Sequence, residues 1–62
     1  MTIKTAENLN PGEIVQSEQG PSRVNSVTVV DGAAVIDFTI VADGIEWGDE
    51  FQATDTFEIV EE

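Results

Sequence analysis

Sixty-two residues carry thirteen acidic and two basic side chains, for a net charge of −11, and include neither Cys nor His. Such a chain has room for one small domain and none for disulfides or thiolate metal sites, and it lacks the commonest general base and transition-metal ligand. A field this negative repels phosphate backbones and anionic lipid, so no direct binding to nucleic acid or membrane is expected, and a basic protein surface is the favoured partner.

The charge is uneven. Residues 1–30 carry Glu7, Glu13 and Glu18 against Lys4 and Arg23, whereas residues 31–62 hold the remaining carboxylates and no basic residue. A fold of this length buries only about 60% of the surface its unfolded chain exposes. Of the usual reinforcements, the composition leaves oligomerisation open. The 40% hydrophobic fraction is gathered in patterned runs, which argues for folding. No apolar run approaches the ~20 residues needed to span a bilayer, and the N-terminus lacks a signal-peptide layout, so a cytoplasmic location is expected.

In chain order, residues 1–10 read as an N-terminal arm. Thr5-Ala6-Glu7-Asn8-Leu9 can form one turn capped by Thr5, and Ile3 and Leu9 are expected to fold back as lids. Asn10-Pro11-Gly12 is a turn, because Pro presets one central φ and Gly accepts a positive φ at the next. Glu13 to Gln16 reads as a first short strand and Ser17 to Pro21 as a loop by composition.

Ser22 to Val30 is the second run, and Asp31-Gly32 after it is a strong signal for a two-residue hairpin. That turn pairs Val30 with Ala33, Val29 with Ala34 and Val27 with Ile36, all sharing faces with the apolar run Ala33 to Val41. Asn25 is the misfit. A bulge near Asn25-Ser26 brings Val24 opposite Phe38 and turns Arg23 outward, near Asp37 and Thr39.

Asp43-Gly44, read as a two-residue loop, sets Ile40 opposite Trp47 and Ile36 opposite Phe51. This register is preferred because it buries two large aromatics, each worth about 1.5–3 kcal/mol. Val27, Val29, Ile36, Phe38, Ile40, Trp47 and Phe51 then form the expected core face. Asp49 shares the face of Trp47 and Phe51; since a buried lone carboxylate is costly, a bulge at Gly48-Asp49 is expected. Ala53-Thr54-Asp55 is a short turn, Thr56 to Val60 a last strand with Phe57 and Ile59 inward, and Glu61-Glu62 a frayed tail.

The result is an all-β chain: a small five-stranded antiparallel barrel with a short N-terminal arm, over residues 1–62 as one domain. This layout resembles the SH3-like small barrels, through Leu9-Asn10-Pro11-Gly12-Glu13-Ile14-Val15 at the front and Ala53-Thr54-Asp55-Thr56-Phe57-Glu58-Ile59-Val60 at the end. The resemblance implies a binding module. The aromatic groove of true SH3 domains has no counterpart in a chain with no Tyr and one Trp, so proline-motif recognition is not implied.

In the preferred register Asp37 faces Glu50 and Val41 faces Glu46 on the outer side, and like charges directly opposite are destabilising. Such a ridge reads as a surface for a basic partner, as a solvated face, or as a calcium site. Asp43 to Glu50 lacks the spacing of an EF-hand loop. No cofactor or metal is expected. The candidate partner-binding residues are Asp37, Asp43, Glu46, Asp49, Glu50 and Glu58, with Trp47 as core, rim or binding hot spot. No candidate nucleophile has a basic partner, so the chain is not expected to be an enzyme.

Two functions follow. The first is an acidic binding module for a basic protein, in its sharpest form a nucleic-acid mimic similar in size and charge to small acidic phage inhibitors. The second is a structural or assembly module that self-associates, with the acidity serving solubility or salt adaptation.

Overall fold

The computed structural model describes residues 2–60; the tail at Glu61-Glu62 lies outside them. The strands are β1 (Thr2–Thr5), β2 (Ile14–Ser17), β3 (Gly20–Val30), β4 (Ala33–Ile40), β5 (Glu46–Gln52) and β6 (Thr56–Ile59), with a 3₁₀ turn at Ala6–Asn8. They make one antiparallel sheet in the order β1-β6-β2-β3-β4-β5. The all-β antiparallel expectation holds, with a sixth strand and a barrel that does not close. β1 and β5 are its two edges.

The sixth strand comes from the supposed arm. Thr2, Ile3, Lys4 and Thr5 pair with Ile59, Glu58, Phe57 and Thr56. Three of these four N-terminal residues are β-branched, which suits a pleated surface. Ile3 lies opposite Glu58 and is 58% exposed, so it is no lid. Leu9 is buried as expected, and Ala6 with it, Ala6 N–H donating to the Asp55 carbonyl at 2.7 Å. Thr5 is extended at the turn's N-terminus but makes no cap; its Oγ1 accepts from Asn8 Nδ2 at 2.7 Å.

The Pro11-Gly12 turn forms as expected, with Gly12 at φ 95° and Glu13 N–H donating to the Asn10 carbonyl at 3.2 Å. Glu13 ties it down. Its carboxylate accepts from Lys4 Nζ and from Asn10 N–H, both at 2.8 Å. The Lys4 ammonium, the foremost cause, together with Asn10 holds the Glu13 carboxyl below the usual value, against a smaller opposing effect of burial. A depressed folded-state value means the stabilisation is fully present above the ordinary carboxylate range and is lost as pH falls through the folded value. Glu13→Gln is therefore expected to cost about 0.5–1.5 kcal/mol at pH 7. Urea melts at pH 7 and near pH 3 check this: the gap between wild type and variant should narrow at the lower pH.

The β2–β3 connection is tighter than the expected loop. Ser17 pairs with Gly20, so Glu18-Gln19 is a two-residue turn, closed by Ser17 Oγ donating to the Gly20 carbonyl at 2.7 Å. The next hairpin matches expectation. Asp31 and Gly32 have φ 50° and 78°, the paired positive values of a type I′ turn. Val27 faces Ile36, and the ladder slips between Val24 and Ser26, placing Val24 opposite Phe38 and Arg23 opposite Thr39.

The β4–β5 hairpin differs. Phe38 faces Trp47 and Ala34 faces Phe51, a slide of two residues from the expected pairing. The connection is longer, with Gly44 N–H donating to the Ile40 carbonyl and Ile40 N–H to the Ile45 carbonyl, both at 2.8 Å. A slide of two keeps every side chain on its face. It also stacks Trp47 on Phe38 with centroids 4.5 Å apart, which the expected pairing would have forgone.

Val15, Val24, Ala34, Ile36 and Phe38 form the buried centre with Ala6 and Leu9; Val27, Trp47, Phe51, Phe57 and Ile59 pack around it. Val29, expected in the core, is 48% exposed because it lies near the hairpin tip, where the sheet extends beyond its cover.

Candidate functional site

The open side of the sheet forms a groove of about 550 Å³, in which β5 meets the β2–β3 turn and the start of β6. Trp47, Phe51 and Phe57 give it aromatic walls, and Glu18, Asp49 and Asp55 give it carboxylates. Phe51 and Phe57 meet edge to face at 5.0 Å, and Phe51 and Phe38 do so at 6.0 Å, so the walls are backed by the core. Trp47 is held from both sides: its ring stacks on Phe38, and Nε1 points to Ser22 Oγ at 3.4 Å. No basic residue lines the groove.

β5 is regular from Thr39↔Glu46 to Ala33↔Gln52, so the bulge expected at Gly48-Asp49 is absent. Asp49 does share the face of Trp47 and Phe51, yet it is exposed. The cost that argued for a bulge does not arise, because this face opens onto the groove. Gly48 has another role. A Cβ there would lie 2.6 Å from Asp37 Oδ1 and 3.2 Å from the Ile36 carbonyl oxygen, so its missing side chain makes room for Asp37.

The acidic ridge is dispersed. Asp37 faces Gly48 rather than Glu50 and accepts from Ser26 Oγ at 2.9 Å, while Glu50 faces Val35 and Glu46 faces Thr39. The expected Asp37–Glu50 and Val41–Glu46 pairings are thus corrected by the two-residue slide. Asp43 sits in the β4–β5 turn, its Oδ1 accepting from Ile45 N–H at 3.1 Å. Glu58 lies on β6 opposite Ile3, two strands beyond β3 and far along the sheet order from β5. Arg23 does not offset Asp37 directly; among the described residues the ion pair is Lys4–Glu13.

Of the expected site residues, the structure brings Trp47 and Asp49 into the groove, and it adds Phe51, Phe57, Glu18 and Asp55. The alternation Trp47, Asp49, Phe51 was the available signal for part of this set.

The outer edge of β5 has its own chemistry. Ladder hydrogen bonds of Ile45 to Ile40 and of Ala53 to Gly32 set the phase, so the N–H and C=O groups of Glu46, Gly48, Glu50 and Gln52 point away from β4. Two of these N–H groups are capped by carboxylates. Glu50 N–H donates to Asp49 Oδ1 at 2.8 Å, and Gln52 N–H to Asp55 Oδ2 at 3.0 Å.

Among the described residues, no group of three or more His, Cys, Asp or Glu is arranged to hold a metal ion, and no helix is long and apolar enough to cross a membrane. Compared with protein-family models and with curated proteins, the chain matches none.

Proposed function

We propose that this protein is a non-enzymatic, acidic binding module whose groove face engages a basic protein. In its sharpest form it occupies the nucleic-acid site of a DNA- or RNA-binding protein, as small acidic phage inhibitors do, on a sheet resembling the SH3-like barrels. The observation carrying this reading is the groove itself: aromatic walls from Trp47, Phe51 and Phe57 beside Glu18, Asp49 and Asp55, with no basic side chain. Aromatic surface supplies contact area, and the carboxylates select a positively charged partner.

Binding of this kind weakens with salt, because exposed charges are screened within about 10 Å at 0.1 M and about 3 Å at 1 M. Immobilised protein should recover a basic nucleic-acid-binding protein from lysate at low salt, lose it at high salt, and release it to competing duplex DNA. The triple variant Glu18→Gln/Asp49→Asn/Asp55→Asn should bind the recovered protein about tenfold more weakly. Recovery that ignores salt, or that includes no basic protein, would overturn the proposal.

A second reading, self-association, draws on the exposed Val29, Val30 and Val35 of the β3–β4 hairpin, which are 48%, 56% and 43% exposed. Light scattering decides it: a monomer at high concentration removes this reading.

A further inference from the structure

The geometry points to the free edge of β5 as a strand-accepting edge, gated by Asp49 and Asp55, whose occupant is an extended segment carrying Lys or Arg. This inference rests on the basic-partner reading above and names how the partner is held. β5 is seven residues long, regular and free of Pro, and among the described residues no strand lies beside its outer backbone groups. Edges of this kind are templates for strand addition. A strand added there lies over the groove, so alternate side chains enter it beside Trp47 and Phe51.

Charge decides the occupant. A second copy pairing β5 with β5 would set two strands carrying Glu46, Asp49 and Glu50 side by side, with Glu46 opposite Glu50 when the dyad lies at Gly48 and Asp49 opposite Asp49 when it lies there, which opposes self-pairing. An uncharged strand must break the Asp49 cap on Glu50 N–H and offers that exposed carboxylate no charged donor in its place. A strand with Lys or Arg opposite Asp49 offers the carboxylate a charged donor as Glu50 N–H turns to the incoming carbonyl. The gate thus favours basic strands over others.

The pattern follows from the faces. An antiparallel partner running opposite Phe51 to Glu46 needs an apolar residue facing Phe51 and basic residues facing Glu50 and Asp49. Gly48 leaves its opposite position unconstrained; an apolar residue then faces Trp47, and a basic one faces Glu46. The probe is a synthetic peptide with the core Ile-Lys-Arg-Thr-Val-Lys, followed by fluorescence of Trp47, the single tryptophan. Two controls are a scrambled peptide of equal composition and the same sequence N-methylated at the residues facing Gly48 and Glu50, which keeps the charge and removes strand hydrogen bonds.

The designed peptide should bind at least about tenfold more tightly than either control, and amide exchange at Gly48 and Glu50 should slow in the complex. Equal binding of the N-methylated peptide would overturn strand addition while leaving the basic-partner reading standing. Failure of all three peptides to bind at low salt would count against both. A dimer already protecting the Gly48 amide without peptide would assign the edge to a second copy and overturn the inference.

Discussion

Phe38→Ala is expected to cost about 3–5 kcal/mol, the range for removing a fully buried aromatic ring. Phe38 is completely buried, stacks on Trp47 at 4.5 Å, and meets Phe51 edge to face and Phe57 at a tilt. Among the four aromatic rings, it is the one that meets all three others. Stability of about 0.05–0.15 kcal/mol per residue gives a chain this short roughly 3–9 kcal/mol in total, so the variant stands at or near the unfolding threshold. Phe38→Leu keeps most of the volume and should cost about 1–2 kcal/mol. Urea melts of the two variants test the assignment, and a loss below about 1 kcal/mol for Phe38→Ala would mean that the ring does not organise the core. The groove should suffer with it, because Trp47 stacks on this ring and Phe51 meets it edge to face.

The second large effect is a coupling. Glycine inside a strand is ordinarily worse than alanine by about 0.5–1 kcal/mol, so Gly48→Ala at an unremarkable position would stabilise. Here the new Cβ would sit 2.6 Å from Asp37 Oδ1 and 3.2 Å from the Ile36 carbonyl oxygen. Asp37 must swing away, losing the hydrogen bond from Ser26 Oγ, and the β4 backbone must yield a few tenths of an ångström. A net cost of about 1–2 kcal/mol is expected. In an Asp37→Ala background the nearest clash is gone, and the same substitution should be neutral or stabilising. A double-mutant cycle by chemical denaturation should return a coupling of about 1–2 kcal/mol. Equal tolerance of Gly48→Ala in both backgrounds would show that Asp37 does not use this space.

These two residues also mark where local reading succeeded and where it stopped. The Asp31-Gly32 turn and the slip between Val24 and Ser26 were legible because both are local: one needs two positive φ values, and the other follows from parity with Phe38 facing inward. The β4–β5 register was not legible. A slide of two residues leaves the inward and outward sets unchanged, so the hydrophobic pattern scores both registers alike; the Phe38–Trp47 stack, the longer turn and the fit of Asp37 over Gly48 separate them. The two-residue loop sets Asp37 opposite Glu50 and so implies a ridge of facing carboxylates; in the observed register Asp37 faces Gly48 and the ridge is dispersed.

The site shows the same division. That Trp47, Asp49 and Phe51 share a face follows from the two-residue period of a strand. That Asp49 is exposed on that face depends on whether the sheet closes, a property of six strands together rather than of β5. Glu18 enters the groove from the β2–β3 turn, distant from β5 in the chain, while Asp55 and Phe57 enter from the turn and strand that follow β5, folded back over the sheet.

By itself the sequence determined the fold class, the positions of the main hairpins, the inward residues of each central strand and the strongly negative field. Each follows from local conformational preference, alternation or a count of charges. The tertiary structure decided the pairing of β1 with β6, the register of β5 and the open edge with its two carboxylate caps. The first joins the two ends of the chain, and the others, although their partners are near in sequence, depend on how whole side chains pack and on whether the sheet closes, which local pattern leaves undecided.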